Sequence, residues 1–239
     1  MNKYKLTRFI DKYHLGGNVN AVVINSKSDK LSTRFITGDK SLLGELSMNN
    51  WTFEDAELGV YDTEQLSRLL GVLDDDVTLN LTSSGDKAIS VEISDALSKV
   101  NFMLSDKSVI NTPPALKQIP EFQVQIKVDS NFIQRFISGK SALPDTDTFT
   151  VISDDDEVKL VIGYSSINTN RVTIPVETTE HSKIQNVSFN ANLFKDVLVA
   201  NKECESATLE VAEGGLSRIN FKVDDYDVTY YLVAVQDVD

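Results

Sequence analysis

Four stretches of the chain set a basic residue close to a pair of large apolar residues. The pairs are Phe9-Ile10, Leu69-Leu70, Phe136-Ile137 and Val197-Leu198, spaced 60, 67 and 61 residues apart. Arg8, Arg68, Arg135 and Lys195 are the basic neighbours, and Lys12, Lys140 and Lys202 extend the same stretches. Lys and Arg repeated in this way suit one chemistry above others. They attract phosphate oxygens by charge and hydrogen bonding without reading a base. A pattern recurring at near-constant spacing means one structural unit used several times, so function is to be sought in the array.

The elements that would position these cations follow from local signals. Asp62, Asp129 and Asn190 each stand seven residues before their apolar pair. Such side chains accept a bond from an orphan N–H of a first helical turn, so they predict helices over 63–73, 130–142 and 191–202. Gln65, three residues after Asp62, fits a capping-box relative. Leu66, Leu69, Leu70 and Leu73 share one face at helical spacing. Before the caps, 58–61, 124–128 and 187–189 read as strands. After each helix come strand-like runs. Their first turns fall near 26–29, 83–86, 153–156 and 213–215, and their second near 38–39, 94–95, 168–170 and 224–225. Each unit is thus strand, helix, then three antiparallel strands. The first copy is ambiguous. Asn2 is also seven residues before its pair, but Lys3-Tyr4-Lys5-Leu6 alternates polar and apolar. The strand, with Thr7 as cap, makes all four units alike and is the expectation. Residues 111–120 hold three of the five prolines and continue neither a helix nor a central strand. They read as a connector between domains at 1–110 and 121–239.

The chain has 239 residues, is 41% hydrophobic and carries a net charge of −13. That charge by itself argues against a phosphate-rich partner. Its distribution does not. The four helical stretches sum to +4, which leaves −17 for the rest. The helical stretches are thus positive within an otherwise acidic chain. On a single amphipathic helix the same cations would be an ordinary solvated face. The one cysteine, Cys204, fits a reducing compartment, and no leader or long apolar run is present. A cytoplasmic location is expected, the host cell's if the chain is viral, with no membrane association.

Other constellations are weaker. The acidic runs at 74–76 and 154–157 lack EF-hand spacing and fall at turns. His14 and His181 have no Cys or nucleophile companion in sequence, and Glu203 and Glu205 flank Cys204. No Walker loop, GxGxxG, GxSxG or HExxH occurs. The expectation is a non-enzyme with no cofactor and no metal.

Order and spacing carry a resemblance over essentially the whole chain. Glu57-Leu58-Gly59-Val60-Tyr61-Asp62 followed by Leu69-Leu70-Gly71-Val72-Leu73, the proline-rich 111–120, and the ending Tyr230-Tyr231-Leu232-Val233-Ala234 resemble DNA sliding clamps. The similarity is to clamps of T-even-type bacteriophages and, more distantly, to proliferating cell nuclear antigen. The resemblance implies an α+β DNA clamp fold of two similar domains, each a duplicated unit with its helices on the inner face. It implies a processivity factor that encircles double-stranded DNA as a homotrimer, an ATP-dependent clamp loader, and partners such as a replicative DNA polymerase that carry short peptide motifs. The DNA-facing set is then Arg8, Lys12, Arg68, Arg135, Lys140, Lys195 and Lys202. Edge strands at 97–105 and 170–177 would pair between chains, with Val100, Phe102, Leu104, Val172 and Ile174 at the subunit interface. A peptide groove beside the connector would use Leu116 and Ile119, floored by Leu42, Leu43, Val233 and Val235. The rival reading is a β-rich structural or interaction protein of a virion, which needs neither a basic helix face nor a ring.

Overall fold

The computed structural model describes residues 2–116, 118–167 and 169–235. Its four helices are α1 Lys3–His14, α2 Thr63–Leu70, α3 Ser130–Ala142 and α4 Ala191–Ala200. All four begin on the polar residue seven places before the apolar pair. The side-chain oxygens of Asn2, Asp62, Asp129 and Asn190 accept from the backbone N–H groups of Tyr4, Gln65, Phe132 and Leu193 at 2.8–2.9 Å. Each such cap stabilises its helix by about 1 kcal/mol.

Residues 3–6 correct the expectation, because they are helical and not a strand. The Asn2 cap starts α1 at once, and Leu6, Phe9, Ile10 and Tyr13 are buried on one face at helical spacing. A four-residue alternation is too short to hold a ladder against that stripe. Pairing there is reduced to one bridge between Asn2 and Asp76, with the Lys3 N–H donating to the Asp75 carbonyl at 2.7 Å. Helix α2 stops at Leu70, with Gly71 after it, three residues short of the expected end. Helix α4 stops at Ala200, so Lys202 lies in the turn beyond.

The chain forms two compact units. The first comprises Met1–Gly38, Gly44–Pro114 and Asp224–Val228. It holds α1, α2 and strands β1 Val22–Lys27, β2 Lys30–Ile36, most of β3 Leu42–Met48, β4 Ala56–Val60, β5 Thr78–Ser84, β6 Lys87–Ser94 and β7 Lys99–Met103. Strand β1 pairs antiparallel with both β2 and β4. Ser28 and Asp29, between β1 and β2, both have positive φ, 51° and 59°, the geometry of a two-residue hairpin that follows strand twist. Strands β5, β6 and β7 make a separate antiparallel sheet in which β7 is an edge. Gly59 on β4 is required by a close approach: a Cβ there would lie 2.2 Å from the Ser105 carbonyl oxygen, while the Ser105 N–H donates to Gly59 O at 2.9 Å.

The second unit comprises Asp39–Leu43, Ala115–Val223 and Thr229–Asp239. Its strands are β8 Val124–Asp129, β9 Thr148–Ser153, β10 Val158–Ile162, β11 Val172–Pro175, β12 Thr178–His181, β13 Val187–Asn190, β14 Ser206–Val211, β15 Leu216–Val223 and most of β16 Tyr226–Val233. One sheet runs β11-β10-β9-β13, with β11 at its edge, and another includes β12-β8-β14-β15. Strand β12 is an addition to the expected three strands of the third repeat. The turn expected at 168–170 includes Asn168, which lies outside the described residues. The rings of Phe136, Phe149 and Phe194 pack at 4.9–5.1 Å between centroids and anchor α3 and α4 to the sheet. Gly139 lets α3 sit on β11: a Cβ there would be 3.0 Å from Val172 Cγ1. The strands expected before the second, third and fourth helices are β4, β8 and β13. Among the described residues the first helix has no leading strand.

Candidate nucleic-acid interface

The helices carry eight Lys or Arg against three Asp or Glu, a net +5 in a chain of net −13, so the remainder carries −18. The segregation is sharper than the sequence suggested because α1 begins earlier and adds Lys3 and Lys5. The Asn2 spacing was the signal for these two residues.

In the second unit, Arg135 on α3 is exposed, Lys195 on α4 is half-buried and Lys202 is exposed. Among the described residues none of the three has an ion pair. Arg135 borders a recess of about 140 Å³ with Asn131, Lys127, Pro175 and Glu177. Lys140 is a correction. It is 3% exposed, and its Nζ donates to the carbonyls of Leu143 at 3.3 Å and Pro144 at 2.9 Å. The ammonium satisfies the carbonyls of the C-cap residue and of the turn just beyond the helix, so this cation serves the fold.

The first unit treats its cations differently. The Arg8 guanidinium pairs with Asp224 at 2.7 Å and lies over the Tyr226 ring at 4.7 Å, and only 15% of its side chain is exposed. Lys5 pairs with Asp225 at 2.7 Å. Lys12, expected at an open surface, is 1% exposed and also lies over the Tyr226 ring, at 5.4 Å from its centroid. The amphipathic α1 turns this residue inward together with Phe9 and Tyr13. Arg68 remains exposed, opposite Glu64 one helical turn away at 3.6 Å. Lys3 donates from Nζ to the Leu73 carbonyl.

Three of the five expected interface residues are core. Val100 and Phe102 on β7 and Ile174 on β11 are buried within their own units, and Leu104 and Val172 are half-buried. The Leu104 N–H donates to Ile89 O, which sets the ladder parity, so Phe102 and Val100 bond to β6. The outward backbone groups of β7 therefore belong to Lys99, Asn101 and Met103. On β11 the Val176 N–H donates to Val158 O, and the same parity turns Thr173 and Pro175 outward. A proline fits there because an edge position needs no donor. In the expected peptide groove, Leu42 and Leu43 are buried core residues, which corrects their placement as an accessible floor. Leu116 is half-buried, and Ile119, Val233 and Val235 are exposed. The Val233 and Val235 N–H groups are fixed to Ser41 O and Ser188 O at 2.9 and 2.8 Å, which holds these two valines in place. Lys117, within the connector, lies outside the described residues.

The remaining groups are structural. Asp95 accepts from the N–H groups of Asp74, Leu97 and Ser98, and those bonds hold its carboxyl below the usual range. Asp154 is held down likewise by the Asp156 and Glu157 N–H groups. Among the described residues no group of three or more His, Cys, Asp or Glu is placed to hold a metal ion. Nor is any helix long and apolar enough to cross a membrane.

No protein-family model matches the chain, and no curated protein matches it. Solved structures do. The chain is similar to proliferating cellular nuclear antigen from Entamoeba histolytica, with a TM-score of 0.76 at 16% identity, covering 99% of this chain and 97% of that one. It is also similar to a chain of the PCNA2–PCNA3 complex from Sulfolobus tokodaii, with a TM-score of 0.72 at 12% identity, covering 98% and 97%. The chain has the α+β fold of these clamps over essentially its whole length.

Proposed function

We propose that this chain is a sliding clamp: a ring of identical chains that encircles duplex DNA and tethers a replicative polymerase and other partners. The observation that carries the reading is the fold match to proliferating cell nuclear antigens across 97–99% of both chains. The positive helices in an acidic remainder support it, since weak phosphate attraction centres a duplex without gripping a sequence. Arg68, Arg135, Lys195 and Lys202 are the cations available to DNA. Retention comes from topology, and tight binding would oppose movement.

Ring closure is assigned to β7 of one chain pairing with β11 of the next, head to tail, three chains to a ring. Both are edge strands, and such pairing covers their free backbone groups. Partner peptides are assigned to the apolar strip of Leu116, Ile119, Val233 and Val235. An ATP-dependent loader opens the ring, and the reaction needs no catalytic group of the clamp itself. The virion-protein reading requires none of the charge segregation and is not favoured.

The decisive experiment uses a nicked circular plasmid with a clamp loader and ATP. The chain is expected to co-elute with the plasmid through a sizing column and to be released by a single restriction cut. Co-elution indifferent to the cut would overturn the reading.

A further inference from the structure

Helix α1 carries more positive charge than any other helix, yet two of its three half-buried cations, Lys5 and Arg8, are already occupied by carboxylates of the turn between β15 and β16. We infer that Asp224 and Asp225 act as an internal stand-in for phosphate, neutralising Lys5 and Arg8 so that attraction to the duplex falls mainly to the second unit's helices. This rests on the clamp reading above and specifies which part of the charged surface does the work.

The tip holds the Asp225 carboxylate in place and turns the chain at Asp224. Asp224 has φ 52°, a left-handed conformation that turns the chain sharply there. Asn50 Nδ2 donates to Asp225 Oδ1 at 2.7 Å, and the Asn49 N–H donates to Asp225 O at 2.9 Å. The Tyr226 hydroxyl donates to Lys5 O at 2.8 Å, and its ring lies under the Arg8 guanidinium. Ordinary surface pairs lose much of their attraction to the entropy of two mobile side chains. Here the Asp225 carboxylate is held by Asn50 and the Arg8 guanidinium by the Tyr226 ring, so a mobile phosphate must displace a pair of which one member is already ordered. Bonds from Lys5 and Asn50 hold the Asp225 carboxyl below its usual range, so it stays ionised wherever DNA binding is measured.

The test is the salt dependence of binding to a short linear duplex, read by fluorescence anisotropy on the full chain. Each cation freed for a phosphate adds about 0.9 to the log–log slope. Asp224→Asn with Asp225→Asn is expected to steepen the slope by between one and two. That makes the affinity loss from 50 to 200 mM salt about tenfold larger. Lys5→Gln with Arg8→Gln is expected to leave the wild-type slope alone but to cancel the gain in the Asn background. Arg135→Gln, Lys195→Gln and Lys202→Gln together are expected to flatten it. Should the Asn pair fail to fold, the Gln pair decides on its own. An unchanged slope in the folded Asn variant overturns the inference, as does a Lys5/Arg8 loss equal to that of the second unit's variant. In both cases the clamp reading stands. No flattening from the second unit's variant overturns the clamp reading as well.

Discussion

Arg8 and Arg135 occupy equivalent places, each one residue before a buried phenylalanine on a helix begun by an Asn or Asp cap. Arg8 is folded against Asp224 and Tyr226, while Arg135 stands exposed with no ion pair among the described residues. Lys12 and Lys140 diverge too. Both are buried, the first over an aromatic ring and the second on the carbonyls that end its helix. A repeat fixes where a side chain leaves the backbone. What that side chain meets is decided by residues distant in the chain, such as those of the Asp224-Asp225 tip.

The two cores differ as well, and that difference gives the largest expected effect. Phe136 packs against Phe132, Phe149 and Phe194, whereas Phe9 meets Tyr13 edge-on at 6.0 Å. Phe136→Ala is expected to lower stability by about 4 kcal/mol and Phe9→Ala by about 3 kcal/mol, near the low end for such truncations. Urea melts measure both, and the reverse order would mean that the ring cluster adds nothing.

The edge strands sharpen the comparison next. Asn101→Pro removes a donor on the outer side of β7 and is expected to give a folded monomer. Phe102→Pro breaks the β6 ladder and removes a core ring, so it is expected to unfold the first unit, at about 3 kcal/mol or more. Sedimentation with circular dichroism separates the two. An Asn101→Pro chain that assembles like wild type would move the interface elsewhere.

At the exposed apolar strip, anchors buried by a peptide typically lose about 2 kcal/mol each on truncation. Ile119→Ala with Leu116→Ala is therefore expected to weaken a polymerase tail peptide at least tenfold while assembly persists. Calorimetric titration checks this, and wild-type affinity would place the partner site elsewhere.

The smallest effect is a pH response confined to the first unit. Burial pushes the His14 pKa down despite Asp11, Glu64 and Asp62 nearby, and its Nε2 lacks a hydrogen-bond partner among the described residues. The unfolded chain then binds a proton near pH 6.5 before the folded chain does. Stability contributed by neutral His14 is present above that pH and is lost as the pH falls toward the folded value. Melting temperatures of wild type and His14→Gln between pH 5 and pH 7.5 should converge at the acid end. Parallel curves would remove His14 from the account.

Much of this architecture was legible from local chemistry. An Asn or Asp seven residues before an apolar pair set all four helix starts, because an N-cap acts within one turn of its own position. The turns at 26–29 and 83–86 were readable for the same reason, since their conformations depend on the residues in them. Local signals conflict at residues 3–6: four residues alternate as in a strand, yet Asn2 supplies the same cap as in the other three repeats, and the cap prevails and puts Lys3 and Lys5 on α1.

The sequence by itself determined a fourfold repeat, the positions of its helices, and a surplus of positive charge on them. Only the tertiary structure decided which charges are available, which strands are edges, and that Leu42 and Leu43 are core while Val233 and Val235 are exposed. The physical reason is range. Capping, periodicity and turn geometry act within a few residues. Arg8 is neutralised by a residue 216 positions away, and Phe102 is buried in a core lined by Leu6, Ile24 and Leu66, all far from it in the chain.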